Sequence, residues 1–269
     1  MSKVPRLQAV RSGLKEEWPL VGGVALGLVL LGGHAFSNLA IPDGSDWGVY
    51  LQGAEHIWHP DLQDHYPDWR QPLYPYLVGL WGEGIGYVRA AQWMASLSAL
   101  ALVLFSGLAG RALAGPWAGG LAAVIAAHLQ PVVDAAHWVN PYPALAAATG
   151  GVLALGLCLV RWPRLWLAFA TGLAGGLAWA LDLRGVGAVA AGGALVILAA
   201  LAPGLKVWKR GALVLLFLAG AVPLWRFDIG LAERSAIRVM PLEKQVLLQR
   251  ELALQQVREG ISELLPLRA

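Results

Sequence analysis

Charge is scarce in this chain. Asp, Glu, Lys and Arg make up only 14% of its 269 residues, where an ordinary soluble domain carries roughly 25%. So little polar surface cannot cover a water-soluble globule. The 57% hydrophobic content equally excludes disorder, which requires low hydrophobicity. Cysteine is nearly missing: Cys158 stands alone, so no internal disulfide can form. Its apolar surroundings would stabilise a thiolate poorly, and it reads as a packing residue. The net charge of +3 is too small to suggest nucleic acid as a partner, and basic residues near apolar runs usually set membrane topology. No repeat of 20 to 50 residues is apparent.

What is abundant is apolar runs of membrane length. An all-α polytopic bundle with about seven transmembrane helices follows, at about 20 residues per span. The runs lie at about Trp18–Ala40, Gly86–Leu108, Pro116–Val132, Tyr142–Val160, Arg164–Leu181, Gly185–Leu201 and Gly211–Trp225. The first is expected to be a retained signal-anchor rather than a cleaved leader. Pro72–Trp81 is too short to cross and reads as a re-entrant or interfacial segment. This divides the chain into an N-terminus (1–17), a membrane module (18–225) with a polar loop (41–71), and a polar tail (226–269).

Orientation follows from the basic residues. With the N-terminus cytoplasmic, Lys3, Arg6, Arg11, Lys15, Arg111, Arg161, Arg164, Lys206, Lys209 and Arg210 fall inside, while Arg70, Arg89, Arg184 and Arg226 fall outside. That asymmetry obeys the positive-inside rule. It predicts a multi-pass protein of a cell membrane, with a bacterial inner membrane as the expected home and the C-terminus on the periplasmic side. The same layout gathers all six histidines and Asp43, Asp46, Asp61, Asp64, Asp68, Asp134 and Asp182 at the outer face, which topology alone does not require. Recurrent Gly and Ala within the spans let helices approach closely in lipid.

In the outer loop, Ser45 is a plausible N-cap, and Asp46 opens a helix whose apolar face is Trp47, Tyr50, Leu51, Ala54, Ile57 and Trp58. Such a helix lies at the headgroup level. There Asp46 can act as a general base on an acceptor hydroxyl, or simply cap the helix. His56, His59 and His65, with Asp61 and Asp64, offer metal-ligand side chains, although Pro60 breaks the helix between them. Next, Arg70-Gln71-Pro72-Leu73-Tyr74-Pro75-Tyr76 fixes a bent approach to the membrane through its two prolines. Arg70 at that bend can hold a lipid phosphate.

With this string the chain resembles the membrane-embedded GT-C glycosyltransferases, of the dolichyl-phosphate-mannose mannosyltransferase-like and aminoarabinose-transferase-like group, over their seven-helix module. The similarity rests on Asp46 with Tyr50 and Ala54 in the first outer loop, then Arg70-Gln71-Pro72-Leu73-Tyr74-Pro75, Gly86 and Arg89. Gly110-Arg111-Ala112-Leu113-Ala114-Gly115, Pro131 and Gly176-Leu177-Ala178 before Arg184 continue it. The resemblance implies transfer of a sugar from a polyprenyl-phosphate donor to an acceptor at the outer face. It implies Asp46 as the catalytic acid, with Asp43 as the fallback, and Arg184, Arg89 and Arg70 as donor-phosphate ligands. Tyr50, Tyr74, Asp134, His137 and Asn140 are the substrate-binding candidates, and a divalent cation could assist.

Family members usually carry more spans and an outer soluble domain. The residues 241–265 instead form an amphipathic stretch through Leu242, Val246, Leu254, Val257, Ile261 and Leu264, able to lie on lipid or dock a partner protein. The chain thus reads as a minimal enzyme, one half of a split system, a fragment, or a non-catalytic membrane subunit of a larger complex. A transporter or flippase fits less well, because transport sites lie near the midplane and the polar groups here cluster at one face.

Overall fold

The computed structural model describes the backbone of residues 4–37, 46–58 and 71–234, and the side chains of residues 16–36, 48–57 and 71–231. Among the described residues every regular element is a helix and there is no strand. In chain order the helices are α1 (Val4–Ser37), α2 (Asp46–Trp58), α3 (Leu73–Ile85), α4 (Tyr87–Ala114), α5 (Pro116–His128), α6 (Gln130–Ala135), α7 (Tyr142–Arg161), α8 (Leu165–Leu181), α9 (Val186–Ala200) and α10 (Val207–Arg234). A single 3-10 turn, Leu183–Gly185, joins α8 to α9.

Among the described residues, five stretches are long and apolar enough to cross a membrane: Glu16–Phe36, Tyr87–Ala114, Tyr142–Arg161, Leu183–Ala200 and Val207–Leu231. This is the pattern of a multi-pass membrane protein. The expected count of seven is not reached by this criterion, for reasons of length. α8 has 17 residues and α5 only 13, and at 1.5 Å per residue α5 spans about 20 Å of a roughly 30 Å hydrocarbon layer. The run expected as one span over Pro116–Val132 is broken at Leu129, which is extended (φ −67°, ψ 123°). Pro131 lacks the N–H needed to continue α5 and sits instead in the first turn of α6. α1 begins well before Trp18, and α10 continues past the expected end at Trp225 to Arg234.

Close backbone contacts hold the bundle together. A Cβ on Gly120 would land on the Pro19 carbonyl oxygen, and one on Gly27 would strike the Ala123 carbonyl, so α1 and α5 touch without side chains between them. α8 and α10 meet in the same way: Gly172 lies against the Phe217 carbonyl, and Gly176 against the Ala221 carbonyl. These contacts also fix direction, because residues advance together along both members of each pair. Both pairs therefore run parallel, as alternate helices of an up-and-down bundle must. Dispersion at such short approach replaces the hydrophobic drive that lipid cannot supply. Outward, Trp18, Val29, Trp117, Leu121, Ile197 and Leu215 are exposed, as a lipid-facing belt requires.

The bundle has two dissimilar ends. One carries α2, α3, α6 and the 3-10 turn; we call it the capped end. The other, the arginine end, carries Glu17, Arg111, Arg161 and Trp162. Among these, the Arg111 guanidinium grips the Glu17 carboxylate with two hydrogen bonds, tying α4 to α1 across 94 residues of sequence.

Candidate functional site at the capped end

α2 does form from Asp46 to Trp58, and its apolar periodicity points inward. Tyr50 and Ala54 are buried, and α2 packs on α3. The Tyr50 ring meets Tyr74 edge-to-face, with centroids 5.5 Å apart. At Tyr50 and Ala54 the face expected to rest on headgroups is covered by protein, while Leu51 and Ile57 are half-buried. Asp46 is the first residue of α2, but its side chain lies outside the described residues, as do Asp43, Arg70, His59 and His65 altogether. His56 stands in the last turn of α2. Among the described residues no three His, Cys, Asp or Glu side chains come together as a metal site.

The Gln71–Pro75 string is not a surface contact. Gln71, Pro72, Leu73, Tyr74 and Pro75 are all buried. Pro72 precedes α3 without a side-chain cap, and Pro75 has no N–H to offer. The Leu73 backbone N–H donates instead to the carboxyl of Asp228 on α10, a side chain only 2% exposed. Its other oxygen, Oδ1, has no hydrogen-bonding partner, and neither has the Tyr74 hydroxyl. Burial, with a smaller push from Tyr50, raises the Tyr74 phenol far above its ordinary range, so it stays neutral. Aromatic contacts fasten this junction: Tyr76 packs edge-to-face on Phe227, and Trp179 stacks on Trp225.

The remaining candidates divide. Arg184 is exposed, with its guanidinium 5.1 Å over the Tyr142 ring. The Asp182 carboxylate accepts the Arg184 backbone N–H at 2.8 Å and so caps the 3-10 turn. Arg89 is exposed on the first turn of α4. Asn140 Oδ1 accepts the Tyr142 N–H at 3.0 Å, which starts α7, and Asp134 accepts from Gln130 Nε2 at 2.6 Å. His137 is half-buried in the turn after α6. Asn140 and Asp134 thus serve local structure, whereas Arg184 and Arg89 remain accessible.

Below the cap lies a cavity of about 390 Å³, within the usual range of about 300–1,000 Å³ for small-molecule sites. Leu77 and Trp81 of α3, Met94 and Leu97 of α4, Ala148 of α7 and Leu177 of α8 are among its walls. Its one polar residue, Ser98, donates its hydroxyl to the Met94 carbonyl at 2.6 Å, so it offers little to a polar guest. Trp81 and Leu97 in its walls are 43% and 44% exposed. The hollow is therefore open rather than sealed, and Leu181 brings it up to the turn bearing Asp182 and Arg184.

Sequence reading passed over Asp228. A lone acid among Leu224, Phe227 and Leu231 was the available signal, since ionisable groups in apolar helices are rarely idle. Ending the last span at Trp225 placed it in a polar tail. No family model, no curated protein and no solved structure matches this chain.

Proposed function

We propose that this chain is a GT-C-type glycosyltransferase module with seven membrane-crossing segments, α5–α6 and α8 completing the five long ones. Its capped end would face the periplasm, and α2 and α3 would lie at the membrane interface. The reaction is attack of an acceptor hydroxyl on the anomeric carbon of a polyprenyl-phosphate-linked sugar. Asp46 accepts the hydroxyl proton, and Arg184 or Arg89 steadies the departing phosphate by charge.

The observation that carries this reading is the apolar, open cavity ending beside the Arg184 turn. A hydrocarbon chain can fill it from the bilayer while an attached phosphate stays near an exposed guanidinium. One observation favours a second reading, a non-catalytic subunit of a larger complex: Asp134 and Asn140 are already occupied by local hydrogen bonds.

Polyprenyl phosphate binding to the purified full chain, followed by native mass spectrometry, tests the proposal. Ala148→Phe should fill the cavity and abolish binding. Asp46→Asn should retain binding and lose transfer from a lipid-linked sugar. Binding undiminished by the filled cavity would overturn the site, and transfer undiminished in Asp46→Asn would overturn the base.

A further inference from the structure

The arginine end contains a second arrangement, independent of the proposed transfer site. Arg111 and Arg161 lie over the same indole: their guanidinium carbons stand 4.6 Å and 5.3 Å from the Trp162 ring centroid. Arg161 also donates from Nη1 to the Ala112 carbonyl at 2.7 Å, bridging the ends of α7 and α4. Arg111 commits Nε and Nη2 to Glu17. Each guanidinium has five N–H donors, so Arg161 still presents Nε and Nη2 from an exposed side chain. Two guanidiniums thus stand over one indole with a single carboxylate, Glu17, paired to Arg111, and Arg164 stands exposed three residues on.

The depth of this cluster is set by tryptophan. Trp117, Trp166 and Trp208 open α5, α8 and α10 at the same end and are 79%, 58% and 60% exposed. Exposed indoles at one level mark a headgroup boundary. A guanidinium held over an aromatic ring suits a planar, multidentate phosphate contact better than a mobile lysine does.

We propose that Arg161, with Arg111 and Trp162, binds the phosphate of an anionic phospholipid headgroup from the leaflet at the arginine end. The indole contact and the carbonyl anchor hold the donors in place before the lipid arrives. The excess of positive charge selects a net-negative headgroup over a zwitterionic one.

The test uses the purified full chain in neutral detergent, with lipid retention read by native mass spectrometry. The wild type should retain phosphatidylglycerol in preference to phosphatidylcholine. Arg161→Gln should weaken retention about fivefold, the worth of one arginine at a charged surface, while Lys206→Gln, off the indole, should change it little. Equal retention of the two lipids by the wild type would overturn the proposal without any variant having to fold. Full displacement of the lipid by millimolar inorganic phosphate would overturn the lipid assignment in favour of a small-anion site. Neither result bears on polyprenyl phosphate binding at the other end.

Discussion

The Leu73 backbone N–H donates to the Asp228 carboxyl, so the last long helix supplies the cap that the first turn of α3 lacks. α3 is the wall through which Leu77 and Trp81 reach the cavity. Removing this bond should therefore loosen α3 before the rest of the bundle. Asp228→Ala is expected to cost about 1–3 kcal/mol, because a buried donor loses its partner. Amide exchange should rise first over residues 73–78. Asp228→Asn keeps an acceptor oxygen and should cost less. Equal exchange in all three proteins would show that the bond does not hold α3.

Tyr74 supplies the opposite case. Its hydroxyl is buried without a partner, so Tyr74→Phe removes an uncompensated desolvation and should leave thermal stability unchanged or raise it by about 1 kcal/mol. The same residue predicts a pH effect. Its phenol is raised in the fold above its unfolded value, so the stability it contributes is complete below about pH 10. That stability should be lost progressively as the pH rises beyond. Unfolding midpoints of wild type and Tyr74→Phe between pH 9 and about 11 would check this, with only the wild type showing the extra alkaline loss.

Two glycines should respond in opposite directions. At Gly120 an added methyl meets the Pro19 carbonyl backbone, so Gly120→Ala must push α1 from α5 and should destabilise by about 1–3 kcal/mol. Gly84, on an exposed face of α3, has nothing within 4 Å of where a methyl would stand, so Gly84→Ala should gain about 0.5–1 kcal/mol from helix propensity. Thermal shift in detergent separates the two.

Asn140 offers a test of local architecture against substrate contact. Its Oδ1 accepts the Tyr142 N–H at the start of α7, so Asn140→Asp, which keeps the acceptor, should preserve stability. Asn140→Ala should cost about 1 kcal/mol, the usual worth of a cap. Loss of substrate binding in both variants at unchanged stability would instead assign Asn140 to substrate contact.

Helix positions are plainly written in this chain where punctuation is strong. The run Tyr142–Val160 matches the helix Tyr142–Arg161, and Gly185–Leu201 matches Val186–Ala200, because proline, glycine and charge bracket an uninterrupted apolar stretch. Ends without such marks are harder to place. Hydropathy falls off before Trp18 and after Trp225, yet the backbone stays helical, since helix formation needs no lipid. The α5–α6 break requires Pro131 to be weighed as a missing donor rather than as an end marker. At the site, residue chemistry is legible but partnership is not. Tyr50 and Tyr74 stand out, yet their ring contact joins positions 24 residues apart. The Glu17–Arg111 and Asp228–Leu73 pairs join distant parts of the sequence, and no local pattern encodes them.

The walls of the hollow hold one more consequence. Ala101, Ala144, Ala147, Ala148 and Ala174 supply much of its lining, and alanine is the smallest side chain that still excludes backbone. Its bore is therefore near the widest this helix spacing permits, and enlarging any of these alanines can only narrow it. Graded enlargement from Ala to Val to Leu at these positions would gauge the girth and length of any hydrocarbon tail that binds, with the turn bearing Asp182 and Arg184 unaltered.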